Sequence, residues 1–413
     1  MSQTVDINAG RLWSRLMELG AIGALPGGGV NRQALSDGEH LAWAKVISWA
    51  QEAGLEAETD AAANLFLTLP GLDRSLAPVL AGSHLDSQPT GGRFDGAFGV
   101  MAALETAVSF ADSAMARARD FTVVAWMNEE GSRFAPGMMG SEAFAGLRDI
   151  AEIRATRDSD SVAAGTEIDR LHAAFPTLPL RAPFRPFAYV EPHIEQGQRL
   201  ERESAVIGVV SGIDGKNTCE VAITGQRDHA GTQPMNQRRD AVMAFARVAV
   251  RLQEEIGLHD PDIRFTIGRV EVSPNAPSVI AGEVQFRTDL RHADGATLSR
   301  LATRIAPLAS AAADPCQAQI RVLVDAPPNG FDPALRAGIG ASARSRGYPA
   351  LTMGSAAGHD ARHLADLCRT AMIFIPCRDG ISHDPAEWAE PAHCTAGTQV
   401  LADLVAPLLA EGL

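Results

Sequence analysis

The sequence predicts an α/β protein in which a discontinuous host domain, residues 1–214 and 327–413, is interrupted by a ferredoxin-like unit over 215–326. Three observations predict it. Short apolar runs that end in polar clusters alternate with helical stretches in the first half, which suggests a largely parallel sheet. The rhythm changes between about Lys216 and Val324 to the order βαββαβ. The first rhythm then returns in RTAMIFIPCRDG and a last helical segment.

Apolar residues spaced three and four apart predict helices around Arg11 to Leu19 and Asp37 to Ala53. The runs PVLAGSHLDS, FTVVAWMNEEG and FAYVEPHIEQG read as strands, with a helix from Gly99 to Asp112 between the first two. Each strand carries its His, Asp or Glu cluster at the carboxyl end, where ligands sit in open α/β sheets. Inside the inserted unit the reading is strand Thr218–Thr224, helix Arg238–Ile256, strand Ile263–Val272, strand Val279–Leu290, helix Asp294–Ala313 and strand Gln317–Val324.

Composition excludes several classes. The 413 residues carry 36 Lys+Arg against 50 Asp+Glu, a formal charge of −14, which argues against a nucleic-acid partner that needs clustered positive charge. No apolar run is long enough to span a membrane, and the opening residues lack the apolar core of a secretory signal. Cys219, Cys316, Cys368, Cys377 and Cys394 are scattered without CxxC spacing, a pattern of reduced thiols in a cytoplasmic protein. HExxH, GxxxxGK[ST], GxSxG and a strand-following GxGxxG are all missing.

The chemistry-bearing residues are few. His84 and Asp86 form a His-x-Asp unit at a strand end, and Asp95 follows in the glycine-flanked GGRFDGAFG. Glu129 and Glu130 close VVAWMNEEG, His193 lies in EPHIEQG, and His383 lies in DGISHDP. One buried histidine is more often a satisfied core group than a ligand, and a lone Glu-Glu pair is usually a solvated turn. Three histidines with an aspartate and a glutamate along one predicted sheet edge call for a different account. Imidazole with carboxylate suits zinc, manganese, cobalt or nickel, and a bridging carboxylate lets two such ions sit close together.

Taken jointly, GSHLDSQPTGGRFDG, NEEGSRFAP, EPHIEQG, DHAGTQPMNQRRDA, GHDA and ISHDPAE resemble the amidase/hydantoinase/carbamoylase branch of the dinuclear metallo-aminohydrolases, over nearly the whole chain. That branch contains N-carbamoyl-L-amino acid hydrolases, β-ureidopropionases and allantoate amidohydrolases. The resemblance implies a metallopeptidase-like catalytic domain whose inserted unit serves as lid and dimerisation domain. It implies two divalent metal ions, one on His84 and His193, the other on Glu130 and His383, with Asp95 bridging. Asp86 would orient His84, and Glu129 would be the general base. Arg291, in TDLRH, would clamp a substrate carboxylate with help from Asn275, while Gln196 and the backbone at Gly358-His359 would meet the ureido or amide group. His229 would stabilise the oxyanion, reaching into the partner subunit's site of a homodimer. Many relatives carry a glutamine at the position of Asp214 or of Lys216; this chain has neither, and Lys216, one of its two lysines, is expected to touch the substrate instead.

The expected activity is hydrolysis of a small N-carbamoyl substrate bearing a carboxylate, releasing ammonia and carbon dioxide. Allantoate, and then an acyl amino acid or peptide, are the alternative substrates. A binding or scaffolding protein on a degenerate peptidase fold is the rival from another class, and the presence of Glu129 with all five ligands speaks against it.

Overall fold

The computed structural model describes residues 4–411; Met1 to Gln3 and Gly412 to Leu413, which the expected host domain includes, lie outside the described residues. The chain divides into two compact units, one running to Ser211 and resuming at Gly330, the other Gly212–Asn329. No helix among the described residues is long and apolar enough to cross a membrane.

The first unit opens with helices Ala9–Gly20 and Asp37–Glu52. Asn8 and Ser36 cap them by accepting hydrogen bonds from the Arg11 and Glu39 amides, which would otherwise lack partners. Strands β1 (Glu56–Thr59) and β2 (Leu65–Leu69) follow as a hairpin. Then come β3 (Val79–His84), helix Ala97–Asp112, β4 (Phe121–Trp126), β5 (Ala188–Ile194) and β6 (Ile207–Ile213). Every residue of β3, β4 and β5 is buried, which is why these strands read as continuous apolar runs rather than alternating ones. Three helices between β4 and β5 (Met139–Phe144, Ile150–Ala155 and Ala164–Ala174) were not expected from the sequence; the first two are only six residues long, and the third buries Ala164, Ile168 and Leu171 along one face.

The second unit contains β7 (Gly215–Thr224), β8 (Asp228–His229), helix Ala241–Leu252, β9 (Arg264–Ser273), β10 (Val279–Ile280), β11 (Glu283–His292), helix Gly295–Ala313 and β12 (Gln317–Ala326). Its four long strands pair antiparallel in the order β12-β7-β11-β9, the order that βαββαβ connectivity produces when both helices cover one face. The first helix begins at Ala241, later than expected, because Asp240 caps the Val242 and Met243 amides. The single strand expected over Val279–Leu290 is two. Val279 and Ile280 pair with His229 and Asp228 in a separate ribbon, and β11 starts beyond Gly282. Along β7 and β11 the buried side chains Cys219, Val221, Ile223, Val284, Phe286 and Leu290 join the helices in one core. Period-two alternation therefore puts Lys216, Asp289 and Arg291 on the opposite face.

The chain returns to the first unit through β13 (Asn329–Gly330), β14 (Ala350–Ser355), β15 (Arg369–Ile375) and the last helix, Pro391–Ala410. The completed sheet runs β1-β2-β4-β3-β5-β15-β6-β13, with β14 beside β6. The expectation of a largely parallel sheet needs correction. β4, β3, β5 and β15 run parallel, and β2 and β6 flank that block antiparallel. Short connections such as the β1–β2 hairpin can only make antiparallel pairs, whereas parallel pairs need a crossover such as helix Ala97–Asp112. The four parallel strands end on the same side of the sheet, and the loops beyond them carry the site.

Candidate metal centre

His84 is the last residue of β3 and His193 the last but one of β5, and both are almost fully buried. Each ring places Nδ1 2.9 Å from a main-chain carbonyl, that of Asp86 and that of Ile194 respectively. A carbonyl can only accept, so Nδ1 carries the proton and Nε2 keeps its lone pair. The Gly96 amide, 3.3 Å from His193 Nε2, points a donor at that lone pair. Such imidazoles are preset as cation ligands.

Asp95 follows the turn Gly91–Phe94 and stands between two sets of groups. Its Oδ1 lies 3.2 Å from His193 Nε2 and 3.7 Å from His84 Nε2. Its Oδ2 lies 3.2 Å from His383 Nε2, which is also 3.5 Å from Glu130 Oε2. Two groups of possible metal ligands result, His84–Asp95–His193 and Asp95–Glu130–His383, each with donor atoms within 4.8 Å of one another. Gly96, at φ +62°, is required here, since a Cβ on it would lie 2.3 Å from the His84 ring.

Glu129 and Glu130, adjacent in sequence, face different sets: Glu129 Oε2 is 3.6 Å from His84 Nε2, and Glu130 is beside His383. Asn128 makes the turn possible with a left-handed backbone (φ 54°) and a side-chain bond to the Phe134 carbonyl. The Asp86 carboxylate accepts the amides of both Glu129 and Glu130, at 3.2 Å each, and lies 3.6 Å from His84 Nδ1. Asp86 was expected to orient His84 through its carboxylate; the shorter contact to that ring is made by its backbone oxygen. The reason is the strand end: past His84 the chain turns, so the main-chain carbonyl, not the side chain, faces back onto the ring.

Electrostatics match a site built to hold cations. Burial, then the nearby Asp360 and Glu130, push the Glu129 carboxyl well above the usual range against the pull of His84. Burial and then Asp95 raise Glu130 to about 7. Burial opposes charge on His84, yet Glu129, Asp86 and Asp95 together hold its imidazole well above the ordinary value. His383, hydrogen-bonded to Asp95, is raised to about 9. Carboxylates that crowd in this way are held together by positive charge among them.

The other expected residues fall in two places. Gln196, in a left-handed conformation, donates to Asp95 Oδ2 at 2.9 Å. The His359 ring packs edge-on to His193 at 4.5 Å, and its Nε2 is 3.1 Å from Ser355 Oγ. Burial, with His193 and His84 adding to it, holds its imidazole well below the usual value, so it is neutral. Gly358 precedes it, next to the Met138 side chain. Lys216, His229, Asn275 and Arg291 belong to the second unit. Arg291 and Lys216 are directly opposite in register, and Asp289 joins them: its Oδ1 accepts Arg291 Nε at 2.8 Å and its Oδ2 meets Lys216 Nζ at 3.0 Å. His229 lies exposed on the β8–β10 ribbon, and the Gly231 and Thr232 amides donate to its Nδ1. Asn275 is exposed in the loop after β9.

Sequence reasoning missed Asp289, Glu387 and Ser382. Asp289 was findable, because it shares a strand face with Arg291. Glu387 and Ser382 carried no signal beyond their place in ISHDPAE, since their partners lie nearly three hundred residues away.

A mixed sheet whose parallel strand ends carry two ligand groups around one aspartate, with a ferredoxin-like insertion, is an arrangement of metal-dependent peptidase-type folds. The chain belongs to Peptidase family M20/M25/M40, whose model matches residues 80–406. It is 37% identical to an N-carbamoyl-L-amino-acid amidohydrolase of Rhizobium meliloti, over 96% of this chain and 95% of that one. It is 35% identical to the allantoate amidohydrolase of Escherichia coli K12, over 93% of this chain and 94% of the relative. Among solved structures, an amidase of the hydantoinase/carbamoylase family from Burkholderia multivorans superposes with a TM-score of 0.90 at 38% identity, covering 99% of this chain and 100% of that one.

Proposed function

We propose that the protein is a dinuclear metal amidohydrolase that cleaves the C–N bond of an N-carbamoyl-L-amino acid. The observation that carries this reading is Asp95, whose two carboxylate oxygens each face a separate set of ligands, while Glu129 stands 3.6 Å from His84 of the first set. His84 and His193 would hold one divalent ion and Glu130 and His383 the other, zinc or manganese, cobalt or nickel by donor type. Such ions, when bound, polarise a carbonyl and make a water more acidic. Glu129 then takes the proton from the attacking water and returns it to the departing nitrogen. Water consumed and products released balance as amino acid, ammonia and carbon dioxide.

In the inserted unit, Arg291 is the proposed partner of the substrate carboxylate, because a guanidinium fork matches that group bidentately. Asn275 and Lys216 are proposed to assist it, and Gln196, Gly358 and His359 to meet the ureido group. Arg291→Lys should raise KM by roughly 10- to 100-fold with a smaller change in kcat, the scale of one charge-assisted hydrogen bond. An unchanged KM would remove Arg291 from the substrate site.

We further propose a homodimer in which His229 stabilises the oxyanion in the partner's site. His229→Ala and Glu129→Gln proteins should each be nearly inactive, and subunit exchange between them should restore roughly a quarter of parent turnover, since half the dimers regain one intact site. No recovery, with exchange verified by mass, would put His229 in its own chain's site or outside the chemistry.

Allantoate is the second reading, favoured by an identity to the E. coli relative only slightly lower. Ammonia release from carbamoyl-L-amino acids, carbamoyl-β-alanine, allantoate and acyl amino acids, with metal content measured alongside, separates these readings. Metal-independent turnover, or none on any of these substrates, would reject the proposal.

A further inference from the structure

We infer that Glu387 is a positioning residue that sets the Asp95 carboxylate between its two ligand groups; the inference rests on the metal reading above. Glu387 is 2% exposed, and every contact of its carboxylate leads to one of two ligand-bearing loops. Oε1 accepts the amide of Phe94 at 2.9 Å and that of Asp95 at 3.0 Å. Oε2 lies 3.0 Å from Ser382 Oγ, and that hydroxyl lies 2.9 Å from Asp95 Oδ2. Glu387 therefore grips Asp95 at its backbone, and it shares with the Asp95 carboxylate the Ser382 hydroxyl, whose one proton serves either group. Ser382 precedes His383, so the same clip joins the loop of the shared aspartate to the loop of a histidine from the other end of the chain.

The backbone around Asp95 is shaped to admit this group. A Cβ on Gly92 would lie 2.0 Å from both Cδ and Oε1 of Glu387. The glycine-rich turn GGRFDG thus has a second purpose besides the Gly96 approach to His84: Gly92 leaves the space that the Glu387 carboxylate fills. The Glu387 carboxylate itself is carried on a short turn, with its amide donating to the Asp384 carbonyl at 3.0 Å.

A planar group with one oxygen toward two adjacent amides and a second polar atom toward a hydroxyl is what the geometry requires. Glutamine meets that requirement: its carbonyl accepts the two amides and its NH₂ donates to Ser382. Alanine meets none of it. The charge is thus dispensable and the shape is not, which separates positioning from a role as ligand or base.

The test is a titration of the chelator-stripped full-length protein with Co²⁺, followed by visible absorption, alongside the melting temperature of the metal-free form. Parent protein should bind two Co²⁺ per chain. Glu387→Ala should melt close to the parent, bind Co²⁺ about 10- to 100-fold more weakly, as is usual when a partner behind a ligand is removed, and show an altered d–d spectrum. Glu387→Gln should keep affinity within a few-fold and the parent spectrum. Gly92→Ala, which pushes the carboxylate aside without removing it, should weaken binding as Glu387→Ala does and decides the matter if that variant does not fold. Parent affinity and spectrum in Gly92→Ala, or in a folded Glu387→Ala, would overturn the inference; so would a Gln variant as weak as Ala. A parent protein that binds no Co²⁺ would instead reject the metal reading itself.

Discussion

Glu129→Gln is expected to retain both metal ions and to lose on the order of 10²–10⁴ in turnover, the scale of a positioned general acid–base. The substitution keeps the size of the side chain and its place 3.6 Å from His84, and removes only the ability to take a proton. Substrate binding should change little, so the loss appears in kcat and kcat/KM alike. The carboxyl must be ionised to act as base, so parent activity should fall as pH drops through its pKa. The residual activity of the variant should lack that acid limb. Metal analysis and the pH profile together check the expectation. Near-normal turnover, or loss of metal in the variant, would reassign Glu129.

Asp95→Ala is expected to have the widest effect on metal binding, because its two oxygens serve both groups. Removing either His193 or His383 takes away one donor from one group and should lower occupancy there. Removing Asp95 takes one donor from each, and leaves His84, His193 and His383 without the carboxylate that faces them all. The apparent affinity should fall by more than the 10- to 100-fold typical of losing a partner behind a ligand, and activity should fall with it to background. Elemental analysis after gel filtration measures this directly. Two ions per chain in a folded Asp95→Ala protein would mean that the shared position is not what joins the two groups.

The sequence by itself determined the features set by local periodicity and by turn chemistry. Strands that end at or lead into His84, Glu129 and His193 were legible because both faces of those strands are buried, and a buried strand cannot run into charged groups without partners or a task. The βαββαβ order was legible because each element has its own period, whereas the start of the first helix, set by the Asp240 cap, was read three residues too early. Tertiary structure decided what depends on partners distant in the chain. It set antiparallel strands on either side of the parallel block, and it moved Val279 and Ile280 into a ribbon with His229. It turned the Asp86 carboxylate toward the Glu129 and Glu130 amides, because the chain direction after a strand end is not encoded in side-chain alternation. Glu387 is the clearest case: nothing local distinguishes it from a surface glutamate, and only the closure of the last helix's approach loop onto the turn at Gly92 buries it against Asp95. Periodicity reports which face of an element is covered; which group covers it is a property of the whole chain.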